Sequence, residues 1–121
     1  MRNKQSESQL QSECVRWFRY QFPEFNGLLF AIPNGGVRNI STAVRLKKEG
    51  VVSGVADLFL PVANIVQKEM FHGLFIEMKF GKGKQTEHQI AFQKAVTGQG
   101  FKYIVCSSFD DFKIAVENYL K

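Results

Sequence analysis

The stretch Leu74-Phe75-Ile76-Glu77-Met78-Lys79-Phe80 constrains this chain more than any other. It is apolar on both faces except where two charges break it. Side chains alternate across a strand, so Leu74, Ile76, Met78 and Phe80 share one face and Phe75, Glu77 and Lys79 the other. A strand from Gly73 to Phe80 of this kind is expected at the centre of a sheet covered on both faces. After a Gly81-Lys82-Gly83-Lys84 loop, Thr86-x-x-Gln89 has the spacing of a capping box. The spacing predicts a helix to about Thr97, closed by Gly98 and Gly100. Phe101 to Cys106 then reads as a strand, which a crossover helix would set parallel to the first.

The rest of the chain fits around that unit. Ser6 and Gln9 open a helix to about Phe22, with Leu10, Cys14, Trp17 and Phe18 as its buried stripe, and Pro23 ends it. Leu28 to Ile32 reads as a short buried strand, broken by Pro33-Asn34-Gly35-Gly36. Thr42 to Glu49 is helical, with Gly50 placed to close it. Val55 to Leu60 reads as a further strand. Ala63 to Met70 is compatible with a loop or an irregular strand. Ser108-x-x-Asp111 opens a last helix whose stripe is Phe112, Ala115, Val116, Tyr119 and Leu120. The order α, β, α, β, β, α, β, α predicts one α/β domain over residues 1–121. Its core is a mixed four-stranded sheet flanked by helices.

Two carboxylates stand where apolar residues are expected. Glu77 and Lys79 lie two apart on one face of the central strand, their Cα atoms about 6.5–7 Å apart. Asp57 interrupts Val55-Ala56-Asp57-Leu58-Phe59-Leu60, although Asp is disfavoured in strands and rarely buried. Alone, E-x-K could be an ion pair near a strand end, and Asp57 a turn former. Together, on neighbouring strands, two buried carboxylates repel unless one protonates or a cation joins them. Two carboxylates, a backbone carbonyl and water make a hard-oxygen site suited to Mg²⁺ or Mn²⁺.

These residues carry a family resemblance. Gly54-Val55-Ala56-Asp57 followed by Phe75-Ile76-Glu77-Met78-Lys79 resembles the D…E-x-K signature of the PD-(D/E)xK nuclease superfamily. More narrowly, the chain is similar to the VRR-NUC family of virus-type replication and repair nucleases. Glu13 in the first helix, Pro33-Asn34-Gly35-Gly36, Gly50, and Thr86-Glu87-His88-Gln89 support that likeness, which spans nearly the whole chain. Ala56 stands where the superfamily usually has proline, a residue that binds no metal. The resemblance implies a restriction-endonuclease-like fold and Asp57, Glu77 and the Met78 carbonyl as metal ligands. It further implies Lys79 as catalytic lysine, Glu13 as a carboxylate at the metal, directly or through water, and Gln89 lining the site. It implies DNA cleavage leaving a 5′-phosphate, action on branched DNA such as four-way (Holliday) junctions, and a role in DNA repair. It also implies a homodimer and a bacterial or phage setting.

The residues support that assignment unevenly. Glu13 lies four positions before Trp17 and can face inward, though the same period allows a surface position. Gln89 is the capping partner of Thr86, yet it shares a face with Phe92 and Val96 and so also points at the sheet. Lys79 could orient the attacking water, offset phosphate charge, or act as a base when neutral. His72 and His88 have no motif around them and take no role.

Composition adds the partner. Sixteen Lys and Arg against eleven Asp and Glu leave a net charge of +5, which favours a polyanion. Arg38 and Arg45, with Lys47 and Lys48, form one basic group, and Lys79, Lys82 and Lys84 another. Arg38, Arg45, Lys82 and Lys84 are the candidate contacts to the DNA backbone, which position a strand without reading its sequence. Hydrophobic residues at 45% and charged residues at 22% exclude disorder. No apolar run approaches the roughly 18 residues of a membrane span, and no secretory leader opens the chain. Two cysteines, Cys14 and Cys106, make neither a metal cluster nor a disulfide framework, so a reduced cytoplasmic setting is expected. The alternatives are a non-catalytic nucleic-acid-binding domain, which needs the basic groups but not the carboxylates, and a small interaction protein using exposed Phe.

Overall fold

The computed structural model describes residues 6–33 and 40–121. Helix α1 runs Glu7–Gln21, and Ser6 and Gln9 close the expected capping box. A single 3₁₀ turn, Pro23–Phe25, leads to strand β1, Phe30–Ala31. Helix α2, Ile40–Lys48, starts two residues earlier than its sequence suggests. Then come β2 (Leu58–Leu60), β3 (Asn64–Val66), β4 (Glu69–Phe71) and β5 (Leu74–Met78). Helix α3 (Glu87–Gly98), strand β6 (Lys102–Cys106) and helix α4 (Phe109–Leu120) complete the chain.

Four strands form one sheet in the order β1-β2-β5-β6. β1 and β2 pair antiparallel, as do β2 and β5, while β5 and β6 are parallel across the α3 crossover. The expected mixed sheet is therefore present, with β5 inside it. Three sequence expectations are corrected. The Leu28–Ile32 strand shrinks to two exposed residues at the sheet edge, because only one neighbour pairs with it. The Val55–Leu60 strand starts only at Leu58, for a reason that lies in Asp57 itself. The undecided Ala63–Met70 segment is a β-hairpin, β3 with β4. Its turn, Gln67-Lys68, takes φ of 50° and 70°. Two successive positive φ values suit the twist of a tight hairpin.

The core lies on the face of the sheet covered by α1 and α4. Leu58, Leu60, Leu74, Ile76 and Met78 meet Leu10, Cys14 and Phe18 from α1, and Phe112, Val116 and Tyr119 from α4, all essentially inaccessible. Each such Leu, Ile or Phe contributes about 1.5–3 kcal/mol by burial. The Tyr119 hydroxyl donates to the Val62 carbonyl at 2.6 Å, and the Asn64 amide donates to the Tyr119 carbonyl at 2.8 Å. These bonds tie the hairpin to α4. The opposite face carries a smaller aromatic layer. Phe59 stacks on Phe75 at 4.3 Å between ring centres, and Phe92 of α3 meets Phe75 edge-on at 5.1 Å.

Candidate active site

The site begins where the aromatic layer ends. Leu58 pairs with Ile76, Phe59 with Phe75 and Leu60 with Leu74. Continuing that register by one residue sets Asp57 opposite Glu77, on the Phe59–Phe75 face. Residues so opposed have Cβ atoms about 4.5–5.5 Å apart. Asp57 Oδ2 accepts the Met78 N–H at 2.7 Å. That N–H would otherwise bond to a backbone carbonyl of a longer β2, so the Asp57 side chain itself ends the ladder. The N–H and C=O of a strand residue point the same way, which directs the Met78 carbonyl toward the Asp57 side as well. The Asp57 carbonyl in turn accepts the Ile32 N–H at 2.8 Å, steadying the chain from the β1 side.

Glu77 is only 2% exposed and is held on both oxygens. Gln89 Nε2 donates to Oε2 at 2.9 Å, and the Tyr103 hydroxyl donates to Oε1 at 3.4 Å. Gln89 does two jobs at once. Its Oε1 accepts the Thr86 N–H at 2.8 Å, completing the capping box, while its amide nitrogen reaches Glu77. Behind Tyr103, the Gln85 amide donates to the Tyr103 oxygen at 3.4 Å and to Gln93 Oε1 at 2.9 Å. Gly54 sets the distance between α3 and the Asp57 loop. Its φ is +90°, and a Cβ there would lie 2.5 Å from the His88 carbonyl carbon. Only glycine allows the loop to rest on the first turn of α3, one residue from Gln89.

Burial dominates the electrostatics. It lifts Glu77 to about 7, with the Asp57 charge pushing the same way and Lys79 opposing. Asp57 is also raised, first by burial; the Met78 N–H offsets part of this and the Glu7 charge adds to it. The two carboxyls hydrogen-bond to each other, and the Asp57 charge disfavours ionisation of Glu77. Lys79 is half-buried and acts on both carboxylates through its charge. It is not locked to either. The ion pairs among the described residues are Arg45–Glu49 and Lys121–Glu117.

The structure thus brings Asp57, Glu77, Lys79, Gln89 and the Met78 backbone together. It does not bring Glu13 to them. Glu13 is exposed and borders a shallow depression with Trp17 and Phe109, acting electrostatically on Cys14 instead. The helix carboxylate that reaches the site is Glu7, whose Oε2 accepts the Phe80 N–H at 3.3 Å. The signal was present in the period. Counting back from Phe18 through Cys14 and Leu10 by helical steps lands on Glu7, whereas Glu13 sits about 100° round the helix from Cys14. Tyr103 and Gln85 are further residues that sequence reading missed. Tyr103 passes for core until the β5–β6 register places it beside Phe75, one step from Glu77 on that face.

The basic candidates are dispersed. Arg45 is exposed and its guanidinium contacts Glu49 at 3.2 Å. Lys82 and Lys84 are exposed on the loop after β5. Arg38, with Asn34, Gly35 and Gly36, lies outside the described residues. His72 and His88 are both exposed.

The residues present suit a divalent cation. Two opposed carboxylates, each with its ionised form disfavoured by burial, are a site where a dication relieves the repulsion. Among the described residues no group of three or more His, Cys, Asp and Glu side chains is close enough to cage a metal. Two carboxylates supplemented by carbonyl and water oxygens match the habit of Mg²⁺, which keeps much of its hydration.

The sequence matches the VRR-NUC domain family over residues 1–110. A solved structure described as a VRR_NUC domain protein superimposes with a TM-score of 0.80 at 22% identity, covering 98% of this chain and 91% of that one. At that identity the likeness speaks to the fold. No curated protein matches the chain.

Proposed function

This chain belongs to the VRR-NUC family of nucleases, and on that premise we propose that it is a metal-dependent DNA endonuclease selective for branched substrates such as four-way junctions. One observation carries the reading. Asp57 and Glu77 face each other across β2 and β5, both pushed toward their protonated forms by burial, with Lys79 beside them and ion-paired to neither. A plain structural ion pair would close Lys79 onto Glu77.

Asp57, Glu77 and the Met78 carbonyl would hold Mg²⁺ or Mn²⁺, which supplies a more acidic water and polarises a phosphate oxygen. The chain's own groups do the rest. Gln89 and Tyr103 fix the Glu77 carboxylate, leaving it little freedom to rotate away. Lys79 sits where its ammonium can hold the attacking water or offset charge growing on the phosphate. The Glu7 carboxylate, bonded to the Phe80 N–H, closes the side of the pocket next to Asp57. Lys82 and Lys84 would hold the backbone without reading bases. Symmetric cutting of two strands needs two such sites, which a two-fold homodimer supplies.

The test is cleavage of flap, nicked, linear and four-way DNA with Mg²⁺ or Mn²⁺, alongside the oligomeric state by light scattering. Metal-dependent cutting of the branched substrates, lost in Asp57→Asn and Lys79→Ala, is the expected result. If every substrate stays intact while DNA binding persists, the chain is a binding domain that keeps a nuclease fold.

A further inference from the structure

The two edges of the four-stranded sheet are unequal. β1 ends it with two residues and β6 with five. The Lys102 N–H donates to the Gly73 carbonyl at 2.9 Å, and the Lys79 N–H to the Cys106 carbonyl at 2.8 Å. Lys102, Ile104 and Cys106 therefore turn their backbone groups toward β5, while Tyr103 and Val105 turn theirs outward. Both ends of that outward row are closed within the chain. The Phe101 N–H donates to the Val96 carbonyl at 3.1 Å, and the Ser107 N–H to Asp111 Oδ2 at 3.0 Å. The N–H and C=O of Tyr103 and Val105 have no partner among the described residues. Beside them an open groove of about 710 Å³ runs between α4 and the β3–β4 hairpin, with β6 as its floor. Ile65, Val105 and Ile114 line it and are 61%, 42% and 57% exposed. An open edge with apolar residues around it is a template for another strand.

The edge is complementary to a second copy of itself. Antiparallel pairing centred on Ile104 sets Tyr103 of each copy opposite Val105 of the other. Each such pair exchanges two bonds, so every open N–H and C=O is satisfied. A centre at Tyr103 would instead require the capped Phe101 N–H, and a centre at Val105 the capped Ser107 N–H. The charges agree with the same register. Lys102 and Asp111 both line the groove, and the bond to Ser107 holds Asp111 at the opposite end of β6 from Lys102. Neither forms an ion pair among the described residues. A two-fold axis swaps the ends, so Lys102 of each copy meets Asp111 of the other. We infer that two copies join edge to edge through β6 in this register, making one eight-stranded sheet. The axis is perpendicular to the sheet, so both Asp57–Glu77 sites open on the same face. Three strand spacings across and two residues along put the two Glu77 Cα atoms about 16 Å apart. One DNA molecule can then span both sites. This inference rests on the homodimer of the proposed function and names the surface that forms it.

The test joins cross-linking to light scattering. Ile104 lies on the axis as a pair without backbone bonds, its Cα atoms about 4.5 Å apart and within disulfide reach. Ile104→Cys should give a covalent dimer on a non-reducing gel after oxidation with copper phenanthroline. Ile90→Cys, exposed on α3, should not, and the native Cys14 and Cys106 are buried. Lys102→Glu alone and Asp111→Lys alone should each weaken self-association roughly 5- to 100-fold, because like charges replace two ion pairs. Mixed in equal amounts, the two variants should recover the dimer, since the mixed pair has only opposite charges in contact. A folding defect cannot produce recovery on mixing. Val105→Pro removes an outward donor and no internal bond, and should give a folded monomer. A wild-type dimer whose Ile104→Cys variant cross-links no better than Ile90→Cys overturns the inference and assigns the dimer to another surface. Charge variants that stay apart on mixing overturn it as well. A wild-type monomer overturns both this inference and the proposed homodimer. Metal-dependent cleavage of branched DNA by the wild type decides the nuclease reading independently of these outcomes.

Discussion

Strand β5 separates two environments that use the same backbone for opposite ends. Toward α1 and α4, Leu74, Ile76 and Met78 are sealed among apolar neighbours. Toward α3, Phe75 is followed by Glu77, which is equally inaccessible yet charged on demand. The first face gains free energy from burial. The second holds a carboxylate whose ionised form burial disfavours, and it does so with hydrogen bonds from Gln89 and Tyr103. A strand with period two can thus anchor the core on one side and hold a buried carboxylate on the other. The anchoring keeps that group from relaxing away.

Four substitutions or conditions would break or sharpen this contrast. The largest effect is expected on the α3 face. Glu77→Gln should lower cleavage at least about 1,000-fold, near 4 kcal/mol of barrier. In metal-free protein at pH 8 it should leave the melting temperature equal or higher, because the neutral amide removes a buried charge. A clear loss of stability would mean that Glu77 is structural. On the α1–α4 face the reverse is expected. Ile76→Ala should cost about 2–5 kcal/mol in denaturant unfolding. Cleavage should persist wherever the protein remains folded.

The pH dependence comes next. Glu77 titrates near 7 in the folded chain, above an ordinary carboxylate, chiefly because it is buried. The folded state therefore holds a proton that the unfolded chain releases between about pH 4.5 and 7. Metal-free stability should fall as pH rises through that window, by several degrees of melting temperature, and Mn²⁺ should restore it above pH 7. A flat profile in differential scanning calorimetry would show that burial does not govern this carboxyl. The smallest effect belongs to Tyr103→Phe, which loses one hydroxyl and keeps the ring. Metal affinity by calorimetry should drop roughly 10-fold, as for other groups that orient a ligand, with little change in stability. No change in affinity would leave Gln89 as the group that positions Glu77.

Elements bounded by local chemistry were legible in the residues. Ser6 with Gln9, Thr86 with Gln89, and Ser108 before Asp111 mark three helix starts that the structure reproduces. The carboxylate pair was legible too, because two charges in apolar strands are conspicuous. Strand ends were less so. β2 begins at Leu58 because the Asp57 side chain takes the Met78 N–H, a fact of pairing with a strand some twenty residues away. The β3–β4 turn hides in Gln67-Lys68, which lacks the Gly or Asn that usually signals positive φ. Glu7 was passed over for Glu13 because both lie on α1, and which of them reaches the sheet depends on where the helix start docks.

By itself the chain determines its helix caps, its apolar stripes and the placing of Asp57, Glu77 and Lys79 in or next to strands, since these follow from periods and short-range bonds. Tertiary structure decides the rest. It sets Asp57 opposite Glu77, lifts the Glu77 pKa, and recruits Glu7 and Tyr103. The reason is physical. Proton affinity and contact depend on burial and on neighbours brought from distant positions, and neither exists until the sheet closes between its helices.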